Sequence, residues 1–227
     1  GLMPDKKYAI LLSKSPSSAS VLFVNGKELF KAGNISSSET ECSPYESPIY
    51  VHFYPDSKGN VELIFHVSNF LQKKGGLTDN VFFGRQESVY KYYISQNGIA
   101  WLVIGTLIIL ASLSILQFVL SPTRRENLYF AFLSLTLAIR VGVSGFSVFS
   151  ISFASLSYSF FLRLEDFAMW ASPILLCSII MITSPKKNPA LAKSIIIISV
   201  SLLILTIFYP ISNTRFFDHI IQFSSVV

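Results

Sequence analysis

Charge is scarce in this chain and cysteine nearly absent, and the two scarcities exclude different things. Charged residues make up 14% of its 227 residues and hydrophobic ones 51%, with a mean hydropathy of +0.53. A soluble domain carries about 25% charged residues, so a wholly soluble enzyme, a coiled coil and a disordered tail are excluded. Two cysteines, Cys42 and Cys177, are too few for a disulfide scaffold. One sits in a polar stretch and the other in an apolar run, so both are expected unpaired. Catalytic signatures are missing as well: there is no G-x-S-x-G, no H-E-x-x-H and no phosphate-binding glycine loop. Gly75-Gly76 follows Lys73-Lys74 but lacks the helix start that a phosphate loop demands. His52, His66 and His219 have no cysteine or paired acid at ligand spacing. No enzyme activity, metal or cofactor is expected of this stretch of chain.

What charge there is divides the chain in two. Residues 1–97 hold 10 of the 18 Lys and Arg and 9 of the 13 Asp and Glu, leaving 8 and 4 for residues 98–227. The net charge of +5 therefore comes mostly from the apolar half, where basic residues flank hydrophobic runs. Such flanking charge sets membrane orientation. No basic stripe is interleaved with stacking aromatics, so no nucleic-acid partner is expected; the partner is the lipid bilayer. The opening GLMPDKKYAI lacks the pattern of a secretory signal, and the apolar segment Ile220 to Val227 is too short to cross a bilayer. The chain is accordingly expected to be a fragment at both ends.

The polar half, residues 1–97, reads as all-β. Asn25-Gly26 between two short apolar runs is a type I′ hairpin signal, because both central positions need positive φ. Val61, Leu63, Phe65 and Val67 alternate with Glu62, Ile64, His66 and Ser68, which predicts a strand with the first set buried. Further strands are expected at Tyr8 to Leu12, Ile49 to Tyr54 and Val81 to Tyr93, the last broken near Gly84. About five strands make a thin sandwich, where an intact one needs seven or more; the missing strands are expected upstream of Gly1.

Gly98 to Leu120 is 23 residues without a charge. At about 1.5 Å per residue a helix of that length crosses a hydrocarbon core of about 30 Å. Transmembrane helices are expected at about 98–120, 127–149, 167–184 and 193–210, with the start of a fifth from about 216. Phe146 to Leu162 is long enough to be another span, but parity argues against it. Without it Arg124, Arg125, Lys186 and Lys187 share one side, which the positive-inside rule makes cytoplasmic. That count puts residues 1–97 and the stretch Ser150 to Asp166 outside, the latter as a helix extension or interfacial segment.

Few residues in this half could carry a function. Arg140 sits near the middle of the second expected helix, where a charge costs about 2.5–3.5 kcal/mol unless it meets a partner or water. Thr136, Ser144 and Ser147 share its face by spacing, so the stripe is either a polar track coupling helix movement to a signal or an arginine reaching for an interface. Arg163, Glu165 and Asp166 cluster just before the third expected helix, as interfacial anchors or as partners of Arg140. Gly142 and Gly145 permit close helix packing. Pro173 inside the third helix should kink it. In the polar half, Tyr45, Asn69, Lys73 and Lys74 are loop candidates for ligand contact.

The run VNGKELFKAG, the run HVSNFLQKKGGLTDNVFFG, a polar connector into a first membrane helix and RRENLYFAFLSLTLAIRVGVSG together resemble the bacterial seven-transmembrane receptors with diverse intracellular signalling modules. The likeness covers most of the chain. Asn25-Gly26 matches the hairpin turn of that family's outer domain, Ser68-Asn69-Phe70 and Gly75-Gly76-Leu77 its late strand and loop, and Asn127-Leu128-Tyr129-Phe130 to Arg140 the opening of helix two. The resemblance implies a mixed fold: an extracytoplasmic jelly-roll sandwich of the galactose-binding type, here incomplete, followed by an α-helical transmembrane bundle. It also implies a carbohydrate or other small-molecule ligand, a homodimer, and a cytoplasmic cyclase, kinase or phosphatase module beyond the residues present. The function so implied is a membrane signal-transduction receptor. Arg140 is the signal-coupling candidate, with the short connector Tyr90 to Asn97 joining sandwich to bundle. The competing readings are a transporter or channel subunit with an accessory β domain, which should show paired broken helices, and a membrane-bound glycan-processing enzyme. Only Glu165 and Asp166 are near the membrane for the acid and base work of such an enzyme.

Overall fold

A computed structural model of the chain describes residues 1–12, 19–45, 48–70, 81–153, 155–183 and 189–208. Antiparallel β-sheets come first and helices follow. The strands are β1 (Tyr8–Leu12), β2 (Ala19–Val24), β3 (Lys27–Ala32), β4 (Ile49–Phe53), β5 (Leu63–Ser68) and β6 (Val81–Arg85). They form two three-stranded sheets, of order β4-β1-β6 and β3-β2-β5. Among the described residues the chain divides into two compact units, one made of residues 1–98 and 145–158 and the other of residues 99–144 and 159–208.

The β2–β3 hairpin turns on Asn25 (φ 50°) and Gly26 (φ 74°), the two positive φ values that the Asn-Gly pair was expected to supply. Asn25 does more than turn the chain. Its Oδ1 accepts a hydrogen bond from Glu62 N at 2.8 Å, and its own N–H donates to Glu62 O at 2.9 Å, which pins the lead-in of β5 to the hairpin. The central strands β1 and β2 are each hydrogen-bonded on both edges and read as near-continuous apolar runs, YAILL and ASVLFV. Tyr8, Ile10 and Leu12 of β1, Leu22 and Val24 of β2, and Ile49, Val51 and Phe53 of β4 form one buried cluster shared by both sheets. Ala9 and Leu11, on the opposite face of β1, belong to a second cluster with Val89.

Several expectations are corrected. There are six strands among the described residues, not five. Leu63 is 39% exposed, although alternation put it inside; β5 is an edge strand, and only Phe65 and the preceding Val61 reach the core. The last strand stops at Arg85, well short of Tyr93, and the chain is helical from Gln86.

The helices are α1 (Gln86–Leu120), α2 (Arg125–Val143), the short α3 (Val148–Ser152), α4 (Tyr158–Thr183) and α5 (Pro189–Phe208). Three of them, α1, α2 and α4, are long and apolar enough to cross a membrane. The second is shorter than expected, ending at Val143 where 149 was anticipated, and α4 begins nine residues earlier than 167. Arg163, Glu165 and Asp166 are therefore inside α4 and not ahead of it. Turn residues and the separate α3 interrupt Phe146 to Leu162, so that run is not a single span. Pro173 lies within α4, which continues through it. Both cysteines are unpaired, Cys177 buried in α4 and Cys42 half-buried. Lys73, Lys74, Lys186, Lys187 and the expected fifth helix lie outside the described residues.

Burial sets the expected cost of disturbing the first unit. Ile10→Ala, at a fully buried position of β1, should cost about 2–5 kcal/mol. Leu63→Ala, at an exposed edge position, should stay within about 0.5 kcal/mol. Pulse proteolysis in urea on the detergent-solubilised chain measures both.

Candidate functional site

The strand β6 pairs with β1 from Tyr8↔Arg85 to Leu12↔Val81. Gln86 N–H then donates to Lys7 O at 3.1 Å, so the first residue of α1 is still bonded to the sheet. From there α1 runs 35 residues without interruption. The polar connector expected at Tyr90 to Asn97 is thus the first part of a helix. A strand ladder fixes β6 along its length and a helix is stiff along its axis, so no flexible segment separates the two.

The base of α1 is packed as well as bonded. Val89 and Tyr93 are four residues apart, hence on one helix face. Val89 is 6% exposed and joins Ala9 and Leu11 of β1, with Tyr50, Phe82, Tyr93 and Phe146 packed around them. Tyr50 of β4 is the hub of the rings: its centroid is 5.7 Å from that of Tyr93 (stacked, 14° between planes) and 5.7 Å from that of Tyr90. Phe82 of β6 meets Tyr92 at 4.8 Å, and Phe146 meets Tyr92 at 6.3 Å and Tyr93 at 6.4 Å. Such ring pairs contribute about 0.5–1.5 kcal/mol each beyond the area they bury. Three strands, the first two turns of α1 and the segment after α2 are gathered here into one aromatic cluster.

The Tyr50 hydroxyl is buried and has no hydrogen-bond partner among the described residues. Burial pushes its phenol above the ordinary value of 10.0, with Tyr90 adding to the shift and the Gln86 side chain beside it opposing. Asn97 Oδ1, further along α1, is likewise buried without a partner among the described residues.

Of the residues singled out from sequence, Tyr45 and Asn69 are half-buried in loops. The Cys42 Sγ lies 3.2 Å from Ser68 Oγ, which brings the loop carrying Tyr45 to the end of β5, just before Asn69. A groove of about 620 Å³ lies elsewhere in the first unit, lined by Gly1, Leu2, Gly59, Asn60, Val61, Leu63 and Phe83.

Arg140 is exposed on α2, with no side-chain hydrogen bond or ion pair among the described residues. The stripe expected around it does not form. Thr136 is 6% exposed and donates to Phe132 O at 2.8 Å; Ser144 is the residue after the helix; Ser147 lies beyond the break with φ 44°. Ser144 Oγ instead donates to Glu165 Oε1 of α4 at 3.1 Å. Helical spacing failed as a guide here because α2 ends at Val143. The aromatic cluster was missed because its rings are scattered over four segments; the one local signal was the Val89 and Tyr93 pair.

Because its hydroxyl is buried and unbonded, Tyr50→Phe should be neutral or stabilising by up to about 1 kcal/mol, whereas Tyr50→Ala should cost about 2–4 kcal/mol by opening the ring cluster. Folding raises the Tyr50 pKa, so the folded state holds its proton more tightly. Stability from this group is complete below the ordinary phenol pKa and falls as pH rises above it. Tyr50→Phe should remove that alkaline loss in urea melts followed from pH 8 to 11. The chain matches no family model, no curated protein and no solved structure.

Proposed function

We propose that this chain is the sensing and membrane part of a signal-transduction receptor. In this reading residues 1–97 are a jelly-roll sandwich outside the cytoplasm of a bacterium, and the apolar helices form a bundle in its inner membrane. A small extracytoplasmic ligand, carbohydrate by the resemblance to the seven-transmembrane receptors, binds the sandwich through loops that include Tyr45, Asn69, Lys73 and Lys74. Its energy of binding reaches the bundle because it binds two arrangements of β6 and α1 with different affinity, the only way a ligand can shift such an equilibrium. A cyclase, kinase or phosphatase module on the cytoplasmic side reads the change, in a homodimer.

The observation that carries the reading is the junction at Arg85 and Gln86, where the last strand passes into the first long helix without a linker. An accessory β domain of a transporter needs no such rigid attachment. Membership of residues 145–158 in the same compact unit as residues 1–98 supports the topology, because it places the segment between α2 and α4 with the sandwich. Arg124, between α1 and α2, and Arg125, the first residue of α2, then lie on the cytoplasmic side.

The coding sequence past Val227 tests the function: two further apolar spans followed by a cyclase, kinase or phosphatase module support the receptor, and a long series of further spans supports a transporter instead. Topology is tested by thiol labelling of intact cells. Ser38→Cys should react with an impermeant maleimide from outside and Ser121→Cys only after lysis; the reverse pattern contradicts the orientation. In the full-length protein, four glycines inserted between Arg85 and Gln86 should abolish the response to ligand and leave basal output within about twofold.

A further inference from the structure

The chain leaves α2 at Val143 and does not enter α4 until Tyr158, and residues 145–158 belong to the compact unit of the sheets. This segment is held firmly. Ser147 is 3% exposed, Val148 1% and Ser150 5%, as deeply buried as residues of the sheet core. Ser147 O accepts hydrogen bonds from both Ser150 N and Ser150 Oγ, at 2.9 and 2.7 Å, closing the short α3 on itself. Gly145 (φ 61°) and Ser147 (φ 44°) adopt left-handed backbone on either side of Phe146, a sharp bend that presents that ring to Tyr92 and Tyr93. A serine in that conformation is strained and persists only where its surroundings impose it. Immediately before the bend, Ser144 Oγ bonds Glu165 of α4.

We infer that the segment Gly145–Tyr158 is a second transmission element, with Phe146 as the residue that positions it on the β unit. This deepens the receptor reading above and rests on it for the word transmission. A shift of the sheets moves α1 through Arg85 and Gln86; the same shift, acting through Phe146, moves Gly145 and with it the end of α2. The Ser144–Glu165 hydrogen bond passes that movement to α4. The β unit is thus tied to α1 by the chain at Arg85 and Gln86 and to the end of α2 by the chain at Gly145, the latter positioned by a ring contact that can be made or broken. In this arrangement Phe146 is the detachable link and β6 the permanent one.

The test uses the full chain in bilayer nanodiscs with Cys42→Ser and Cys177→Ala as background, and a maleimide as probe. Val148→Cys places a thiol at a position 1% exposed, and Ala9→Cys places one in the sheet at 0%. With Phe146 intact both should label slowly. Phe146→Ala should raise the rate at Val148→Cys about tenfold, the scale of losing one or two ring contacts, and leave Ala9→Cys protected. Tyr93→Ala should reproduce the effect from the other side of the contact, and Phe146→Leu should largely restore protection. A thiol at Val143→Cys, the last residue of α2, should also become faster in Phe146→Ala, which a purely local role would not produce. Fast labelling at Val148→Cys with Phe146 intact, or an unchanged rate in both Phe146→Ala and Tyr93→Ala, overturns the inference. So does exposure of Ala9→Cys, which would make Phe146 an ordinary core residue. None of these readouts needs a ligand or an output module, so a failed receptor reading leaves them intact, and their failure leaves coupling through α1 standing.

Discussion

The hydrogen bond from Gln86 N–H to Lys7 O marks the point on which the rest of the chain's organisation depends. It makes the last residue of a sheet ladder the neighbour of the first residue of a membrane-length helix. Either element alone is ordinary. Joined without a linker, they make the first turns of α1 a continuation of β6. Val89 packs into the second cluster of the sheet, and the rings of Tyr50, Phe82, Tyr92 and Tyr93 close around the joint. A helix start of two polar turns, QESVYKYY, would be marginal in water by itself, because nucleation is costly and short helices rarely hold. Here the apolar continuation to Leu120 supplies the nucleus and the aromatic cluster supplies the packing.

That dependence explains which parts of the fold were legible in the sequence. The Asn25-Gly26 turn was legible because its chemistry is local: two positive φ values admit few residue pairs. The strands β1 and β4 and the membrane-length run after Gly98 were legible because apolar length is itself the signal. The end of β6 was not, since Val81 to Tyr93 is rich in the aromatic and β-branched residues that favour strands, and the change to helix at Gln86 is decided by burial of Val89 against Ala9 and Leu11. The exposure of Leu63 was hidden for a similar reason: alternation gives the faces of a strand but not whether the strand lies at an edge. Of the candidate site little was readable, because the ring cluster is assembled from β4, β6, α1 and the segment after α2.

The polar residues of the helices teach a related lesson. Arg140 drew attention as a charge in an apolar run, with hydroxyls spaced around it. Most hydroxyls within the long helices, Thr136 among them, are satisfied by their own helix. Ser134 and Thr136 bond back to Phe130 O and Phe132 O, as Thr106, Ser112 and Ser114 do on α1 and Ser172 and Ser178 on α4. A serine that bonds the carbonyl four residues earlier can face an apolar surface at little cost, so a stripe of serines on a membrane-length helix is no sign of a polar track. Ser144 differs: it follows the last turn of α2, its backbone N–H donates to Arg140 O, and its hydroxyl goes to Glu165 of α4.

The central claim is that the sheet and the first turns of α1, Gln86 to Gly98, form one stiff body, and amide hydrogen exchange across Arg85 to Asn97, on the chain in bilayer nanodiscs, tests it most directly. The account predicts that Tyr90 to Asn97 exchange slowly and in step with the β1 amides, as the continuation of a folded helix packed on the sheet. Exchange of those residues at the rate of an open chain, with β1 and the segment after Gly98 still protected, would contradict it and restore a flexible connector between the two halves.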